Sequence, residues 1–264
     1  MCTIIVFNRV HPRYPVVVAA NRDEFYARET TGPVVLSDQP RVVGGRDQER
    51  GGTWMGVTAG GLFVGLTNQR SDAPRTRAPK SRGEVVLRAL RSGSADGVHR
   101  LLDTLDSADY ESFNLIYGDA EHLHVAYSRR HERGIEIVDV AEGISVLSND
   151  RLDADDFPKM DRARELAVPV AKQPWPQLLG SLQTVLADHQ LPDDGMPDQT
   201  PPDAPFGRGE LRKLQALCVH TQSYGTRSAT VVALGNAGVA HYCYAPGPPC
   251  TTDLVDSTGY VSGK

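Results

Sequence analysis

Strict alternation dominates the start of the chain. Ile4 and Val6 fall on one side of a two-residue period, and Thr3, Ile5 and Phe7 on the other. This predicts a strand over residues 3–9 that is buried on both faces. A second apolar run, Pro15-Val16-Val17-Val18-Ala19-Ala20-Asn21, predicts a strand over 15–21, joined to the first by a turn around His11-Pro12-Arg13. It runs directly into Asn21-Arg22-Asp23-Glu24. If the strand continues, parity puts Asn21 and Asp23 on one face and Arg22 and Glu24 on the other. If it stops, the four residues read as a capped turn. Further on, Gly60-Gly61 between two apolar runs signals a hairpin. That hairpin sets Trp54 and Asn68 at the outer ends of paired strands, and the glycines around Trp54 let backbone approach a strand or a ligand closely.

The apolar period then changes. Ser81-Arg82-Gly83-Glu84 resembles a capping box leading a helix over 85–90. Val98, Leu101, Leu102 and Leu105 place a second helix at about 94–105. Strands return over 113–117, 123–127, 135–138 and 144–147, the last ending in Ser148-Asn149-Asp150. Helices over 158–172 and 176–189 are separated by Pro174-Trp175-Pro176. The Pro-, Asp- and Gly-rich stretch 190–209 reads as a long loop or cover. Strands over 217–220, 226–234 and 239–244 close the chain, with Gly235-Asn236-Ala237-Gly238 as a turn. Strands in blocks, not strictly alternating with helices, argue for an α+β fold with largely antiparallel sheets. There is no internal repeat and no natural boundary, so residues 1–264 read as one domain.

Composition narrows the function. With 40% hydrophobic residues, 23% charged residues and a net charge of −5 over 264 residues, the chain is an ordinary globular protein. It has no basic patch with interleaved aromatics, so nucleic acid is not expected. No apolar run reaches the ~18 residues that a membrane helix needs. Arg9, His11, Pro12, Arg13 and Pro15 break any signal-peptide core, so a cytoplasmic location is expected. The four cysteines, Cys2, Cys218, Cys243 and Cys250, include no C-x-x-C pair and suit a reducing compartment.

Cys2 stands out chemically. Removal of Met1 leaves a thiol and a free α-amine on one residue, and an α-amine with a pKa of about 7.7–8.0 can accept a proton at neutral pH. A nucleophile beside its own base is the N-terminal variant of the catalytic triad. The competing reading is a small buried hydrophobe.

Several motifs together resemble one family. They are the Met-Cys start, Asn21-Arg22-Asp23-Glu24, Gly51-Gly52-Thr53-Trp54-Met55-Gly56, Leu66-Thr67-Asn68 and Ser81-Arg82-Gly83, followed by Phe113-Asn114-Leu115-Ile116, Leu147-Ser148-Asn149 and Tyr224-Gly225-Thr226-Arg227-Ser228-Ala229-Thr230-Val231. This order is similar to that of the Asn-Arg-Asp-Glu (NRDE) family, whose eukaryotic members are called transport and Golgi organisation protein two. The family looks related to N-terminal nucleophile hydrolases of the cholylglycine hydrolase and penicillin V acylase branch. The resemblance implies an αββα sandwich of two antiparallel sheets between helix layers. It also implies Cys2 as nucleophile, Asp23 as the residue orienting it, Asn68 as an oxyanion-hole amide, Asn149 as a second asparagine lining the site, and Arg227 as a late arginine near the nucleophile. Such an arginine favours thiolate, and an oxyanion donor contributes roughly 3–4 kcal/mol in hydrolases. Asn21, Arg22, Glu24 and Trp54 are candidates for substrate contact. One position departs from that branch: the arginine usual three residues before the aspartate is Ala20 here, and Arg22 has the same parity.

The functional expectation is Cys2-dependent cleavage of a non-peptide amide C–N bond in a small acylated substrate. The rivals are a haem carrier or chaperone, with haem as cargo and not a resident cofactor, and a protein that handles acyl-lipid or acyl-CoA without turnover. A further constellation pairs Cys218 and His220 with His241 and Cys243, each pair on one face of a predicted strand. The i, i+2 spacing is not that of a zinc finger, and buried core cysteines are the expected reading, so no metal is assigned.

Overall fold

The computed structural model describes residues 2–70, 80–155, 157–192 and 208–263. The first strands are β1 (Cys2–Asn8), β2 (Val16–Phe25), β3 (Thr30–Asp38), β4 (Arg41–Asp47), β5 (Met55–Thr58) and β6 (Phe63–Asn68). Helices α1 (Arg82–Arg91) and α2 (Ala95–Asp103) precede β7 (Phe113–Gly118), β8 (Leu123–Ser128), β9 (Ile135–Asp139) and β10 (Gly143–Leu147). Then come α3 (Pro158–Ala167), α4 (Gln177–Leu186), α5 (Arg208–Lys213), β11 (Tyr224–Gly235), β12 (Gly238–Ala245), β13 (Val255–Asp256) and α6 (Thr258–Ser262).

These strands make two antiparallel sheets. One has the order β10-β1-β2-β11-β12-β13 and the other runs β3-β4-β5-β6-β7-β8-β9. In the first, β1 lies between β10 and β2, with Ile4 opposite Leu147 on one side and Cys2 opposite Arg22 on the other.

Strand alternation builds the layers. The even residues Ile4, Val6, Val16, Val18 and Ala20 face the second sheet and pack against Met55, Val57, Phe63, Ile116 and Val125. The odd residues Ile5, Phe7, Val17 and Ala19 face outward onto Met160 and Ala163 of α3 and Leu178 and Leu182 of α4. On the far side, Val64, Leu66, Leu115 and Tyr117 receive α1 and α2 through Val85, Val86, Ala89, Leu90, Val98 and Leu102. The fold is therefore the αββα sandwich that the resemblance implied. Ile4, Ile5, Val6 and Phe7 are all at most 1% exposed. Each such side chain contributes about 1.5–3 kcal/mol, which anchors the first strand firmly.

The departures from the sequence pattern have local causes. β2 continues through Asn21-Arg22-Asp23-Glu24 to Phe25, so this cluster is strand and not a capped turn. The pair β3 and β4 carries no clean alternation: β3 is a half-exposed edge containing Gly32 and Pro33, and β4 carries Gly44-Gly45 inside the strand. Gly45 is required there because the Trp54 ring lies against its backbone where a Cβ would project. The capping box at α1 does not close. Ser81 makes no side-chain cap bond, whereas Ser94 caps α2 by accepting from the Gly97 N–H at 3.2 Å.

The helix expected over 158–172 ends at Ala167 and tightens into a 3₁₀ turn containing Pro169. Residues 217–220 form no strand, only a single bridge from His220 to Gly225. Of the loop expected over 190–209, residues 193–207 lie outside the described residues, and α5 begins at Arg208. No described helix is long and apolar enough to cross a membrane.

A close crossing joins the loop before β5 to the start of α1. The Thr53 N–H donates to the Gly83 carbonyl at 3.1 Å, and a Cβ on Gly52 would sit 2.6 Å from that carbonyl oxygen. Gly52→Ala should therefore cost about 1–3 kcal/mol in a urea unfolding titration, as overpacking does. A loss under about 0.5 kcal/mol, the scale of an innocuous surface change, would contradict this crossing.

Candidate active site

Because β1 is paired on both sides, Cys2 is held at the end of a rigid strand. Its carbonyl accepts from Ser148 Oγ at 3.3 Å, just beyond β10. By parity with Ile4, its side chain faces the space between the sheets. Cys2 is partly exposed as a residue, but its thiol is buried, and the Asp23 backbone N–H points at it. Burial pushes the Cys2 thiol pKa up, and the field of Arg22 pulls against that shift.

Four of the candidate residues, Arg22, Glu24, Trp54 and Asn149, gather on this inter-sheet side. Arg22 stands opposite Cys2 in register and is 5% exposed. Its guanidinium lies over the Trp54 ring, 4.2 Å from the centroid, and Nη2 is 3.8 Å from Glu24 Oε2. Its Nη1 is buried and has no hydrogen-bond partner. Burial lowers the Arg22 pKa, while the neighbouring Cys2 and Glu24 favour the charged form. Glu24 also meets Arg28 at 3.5 Å. Asn68 ends β6 on the facing sheet, where its side chain shares the parity of Val64 and Leu66 toward α1, and Asn149 Nδ2 donates to its backbone carbonyl at 2.8 Å. The Arg70 N–H donates in turn to the Asn149 carbonyl at 2.7 Å. The two asparagines are thus tied to one another across the mouth of the sandwich.

Asn21 and Asp23 face the other way, toward the helix layer, as parity requires. Asn21 Nδ2 donates to the carbonyls of Leu186 and Leu217 at 2.8 and 2.9 Å. Asp23 is 1% exposed. Its carboxylate accepts from Thr226 Oγ1 at 2.7 Å and pairs with Lys159 Nζ at 3.3 Å. Tyr224 Oη donates to the Asp23 carbonyl at 2.7 Å. Asp23 therefore acts on Cys2 through the backbone and through its field, from the opposite face of the sheet.

Arg227 does not join the inter-sheet group. It occupies a bulge in β11 between Thr226, paired with Asp23, and Ser228, paired with Arg22. Its guanidinium donates to the Tyr26 carbonyl. The cation that faces Cys2 is Arg22.

Sequence reasoning passed over two residues of this site. Lys159 is 2% exposed and shares its helix face with Ala163 and Ala167. A lysine at a core position of a helical pattern was the available signal. Arg82, at the start of α1, donates to the Ser112 carbonyl at 3.1 Å. Burial lowers its pKa, while Glu111, then Glu24 and Cys2, favour its charged form. It lies in the Ser81-Arg82-Gly83 motif but carried no role of its own.

The metal arrangement considered from sequence does not form. His241 stacks on Trp175, with centroids 4.1 Å apart, and its Nε2 meets Tyr14 Oη at 2.9 Å. Cys243 lies in the core beneath the helix layer. Cys218 and His220 lie elsewhere, outside any strand.

Two antiparallel sheets between helix layers, with a cysteine at the open end of an interior strand, match the N-terminal nucleophile hydrolase fold. Solved structures share it across nearly the whole chain. Penicillin V acylase from Agrobacterium tumefaciens matches with a TM-score of 0.55 and 13% identity over 97% of this chain and 86% of its own. A single-residue variant of conjugated bile acid hydrolase from Clostridium perfringens matches with 0.58 and 12% over 97% and 92%. An N-acylethanolamine-hydrolyzing acid amidase orthologue from Caenorhabditis elegans matches with 0.51 and 13% over 90% and 95%.

Within that fold, the chain belongs to the Transport and Golgi organisation 2 family, whose model matches residues 1–244. The Transport and Golgi organization protein 2 homolog of Bos taurus is 33% identical over 258 residues, covering 90% of each chain. The Homo sapiens homolog is 29% identical over 256 residues, again covering 90% of each.

The buried Asp23–Lys159 pair generates a stability prediction. Removing one partner of a buried ion pair leaves a charge without compensation, at a cost of about 3–5 kcal/mol. Lys159→Met should lose that much in urea unfolding, and Lys159→Met with Asp23→Asn should recover a large part. Equal losses in the single and double variants would show that the two side chains do not act as a pair.

Proposed function

We propose that the chain is a Cys2-dependent amidohydrolase acting on a non-peptide C–N amide bond in a small acylated substrate. The observation that carries this reading is Arg22. A buried guanidinium with an unpartnered Nη1 directly opposite the nucleophile costs about 1–3 kcal/mol as it stands. A developing oxyanion or a substrate carboxylate beside Cys2 would satisfy it. The three fold relatives are named for penicillin V, conjugated bile acids and N-acylethanolamines, which sets the substrate class to screen.

After removal of Met1, the Cys2 α-amine takes the thiol proton as sulfur attacks the amide carbonyl. The new C–S bond gives a tetrahedral oxyanion that Arg22 stabilises, with the Asn149 amide and the Asn68 backbone at the same mouth. The C–N bond then breaks, and the proton passes from the α-amine to the leaving amine. Water attacks the thioester, releasing the carboxylic acid and restoring the thiol. Asp23 positions Cys2 from beneath the strand, neutralised there by Lys159. Trp54 and Glu24 hold the Arg22 guanidinium and line the approach.

Two observations favour a second reading, in which the same mouth holds haem or an acyl chain without turnover. Burial raises the thiol pKa of Cys2, and Arg227 is committed to Tyr26. The readings separate in one experiment. Intact mass should show loss of Met1, and a panel of N-acyl amines and N-acyl amino acids should include a substrate released with burst kinetics. Cys2→Ala should abolish release, and Arg22→Gln should lower kcat/KM about 10²–10³-fold, as for loss of one oxyanion donor. Retention of Met1, or haem binding unaffected by Cys2→Ala with no substrate in the panel, would replace the hydrolase by the carrier.

The thiol also gives a pH signature. A raised pKa means less thiolate at neutral pH, so alkylation of Cys2 in a form that retains Met1 should keep accelerating above about pH 8.5, where an ordinary thiol is half ionised. A labelling rate that levels below that pH would contradict the burial assigned to the sulfur.

A further inference from the structure

Away from the inter-sheet mouth, three separate stretches of chain bring two cysteines and two histidines together. His189 follows α4, Cys218 and His220 precede β11, and Cys250 lies in the loop after β12. Their ligand atoms all lie within 4.8 Å of one another, and no other group of three or more His, Cys, Asp or Glu side chains converges so closely among the described residues. We propose that His189, Cys218, His220 and Cys250 form a closed, tetrahedral Cys₂His₂ site for a divalent ion of the zinc class.

Distances, chemistry and scaffolding support it independently. Cys218 Sγ is 3.6 Å from both Cys250 Sγ and His220 Nε2, and His220 Nε2 is 3.3 Å from Cys250 Sγ. A tetrahedron with Zn–S near 2.3 Å and Zn–N near 2.05 Å has edges of about 3.8 Å between sulfurs and about 3.5 Å from sulfur to nitrogen. Three of the ligands already stand at that spacing, and His189 closes the fourth corner with a small side-chain movement. Its Nδ1 lies 3.0 Å from the Cys218 carbonyl. That bond places the ring proton on Nδ1 and leaves Nε2 to ligate, as outer-shell bonds do for metal-bound histidine. Two thiolates with two imidazoles in tetrahedral array suit zinc above hard, oxygen-seeking ions. On binding, the two thiols release their protons to solvent while both imidazoles ligate in the neutral form, so no redox step is involved.

The ligands sit on segments held by other bonds. The Cys218 N–H donates to the Asp188 carbonyl at 2.9 Å, and Asp188 is fixed by Arg162 at 3.1 Å. Gln183 ties the Cys250 loop to α4 through Pro249 and Asp253, both at 3.2 Å. The site also backs onto the Asp23 network: the Val219 N–H donates to Thr226 Oγ1 at 2.9 Å, and that hydroxyl donates to Asp23. With four protein ligands and no open position, the ion would be structural. It would clamp the Cys250 loop to the turn that supports Asp23, whatever chemistry Cys2 performs. His189 and Cys218 are 29 positions apart and His220 and Cys250 are 30 apart, which is why no motif in the sequence announces them.

The test uses the full-length chain purified under reducing conditions. Elemental analysis should find one zinc per chain. Exchange for Co²⁺ should give the intense visible bands of a tetrahedral ion and a thiolate-to-cobalt charge-transfer band. Cys250→Ser, in a surface loop, should lose the charge-transfer intensity of one thiolate. It should weaken Zn²⁺ binding by more than the roughly 10- to 100-fold typical of losing an outer-shell partner. Chelator should lower the melting temperature of the wild type but not that of Cys250→Ser. Absence of stoichiometric zinc or cobalt would overturn the proposal. So would cobalt spectra unchanged in Cys250→Ser, or an intact mass two hydrogens short that reports a Cys218–Cys250 disulfide.

Discussion

Everything at the candidate site depends on one constraint: the first strand must be buried on both faces and paired on both edges. β1 sits between β10 and β2, one strand in from the edge of its sheet, and its apolar residues supply both the inter-sheet core and the helix-facing core. A chain end is ordinarily among the most mobile parts of a protein. Here two ladders of hydrogen bonds and two cores hold it, so the position of Cys2 follows from strand register. Catalytic or binding geometry can be fixed at residue two only because residues 4 to 7 are so thoroughly enclosed.

The same constraint explains how four consecutive polar residues can occupy a buried strand. Alternation along β2 divides Asn21-Arg22-Asp23-Glu24 into two systems separated by the thickness of the sheet. On the inter-sheet side the charges are Arg22, Glu24 and Arg28, with Trp54 beneath the guanidinium. On the helix side Asp23 meets Lys159 and Thr226, while Asn21 binds two carbonyls. Each charge has a partner on its own face, which is what a low-dielectric interior demands. Two atoms are left without a hydrogen-bond partner, Arg22 Nη1 on the inter-sheet face and Asn21 Oδ1 on the helix face. Of the two, Arg22 Nη1 is the donor, and it lies on the same face as Cys2.

Much of this was legible in the sequence, for reasons that can be stated residue by residue. Periodicities of 2 and 3.6 located the strands around Ile4, Val17, Leu115 and Val231 and the helices around Val86, Val98 and Leu182, because in each case one or both faces are buried. The αββα layering followed from the resemblance, and parity alone separated Asn21 and Asp23 from Arg22 and Glu24. What escaped was non-local. β3 is half-exposed, and β4, though mostly buried, carries Gly44-Gly45 within the strand, so no clean apolar period marks either. Lys159 was given no role because its partner Asp23 is 136 positions away. Cys218 and His220 were matched to His241 and Cys243 by strand parity, but that pairing presupposed a strand at 217–220 that does not form, and the chain carries His189 and Cys250 there instead.

The arginine at position 22 owes its place to local packing. The branch that the sequence resembles carries its arginine three residues before the aspartate, where this chain has Ala20. Ala20 and Arg22 point to the same inter-sheet face, one strand repeat apart. At position 20 a long side chain would enter the apolar core beside Ile4 and Leu147. At position 22 the guanidinium instead reaches the mouth of the sandwich, where Trp54 supplies a flat face and Glu24 a carboxylate. Trp54 can lie there only because Gly45 leaves room beneath its ring. Ala20, Arg22, Gly45 and Trp54 therefore form one interdependent packing arrangement, and the charge beside Cys2 rests on a glycine of β4, in the opposite sheet.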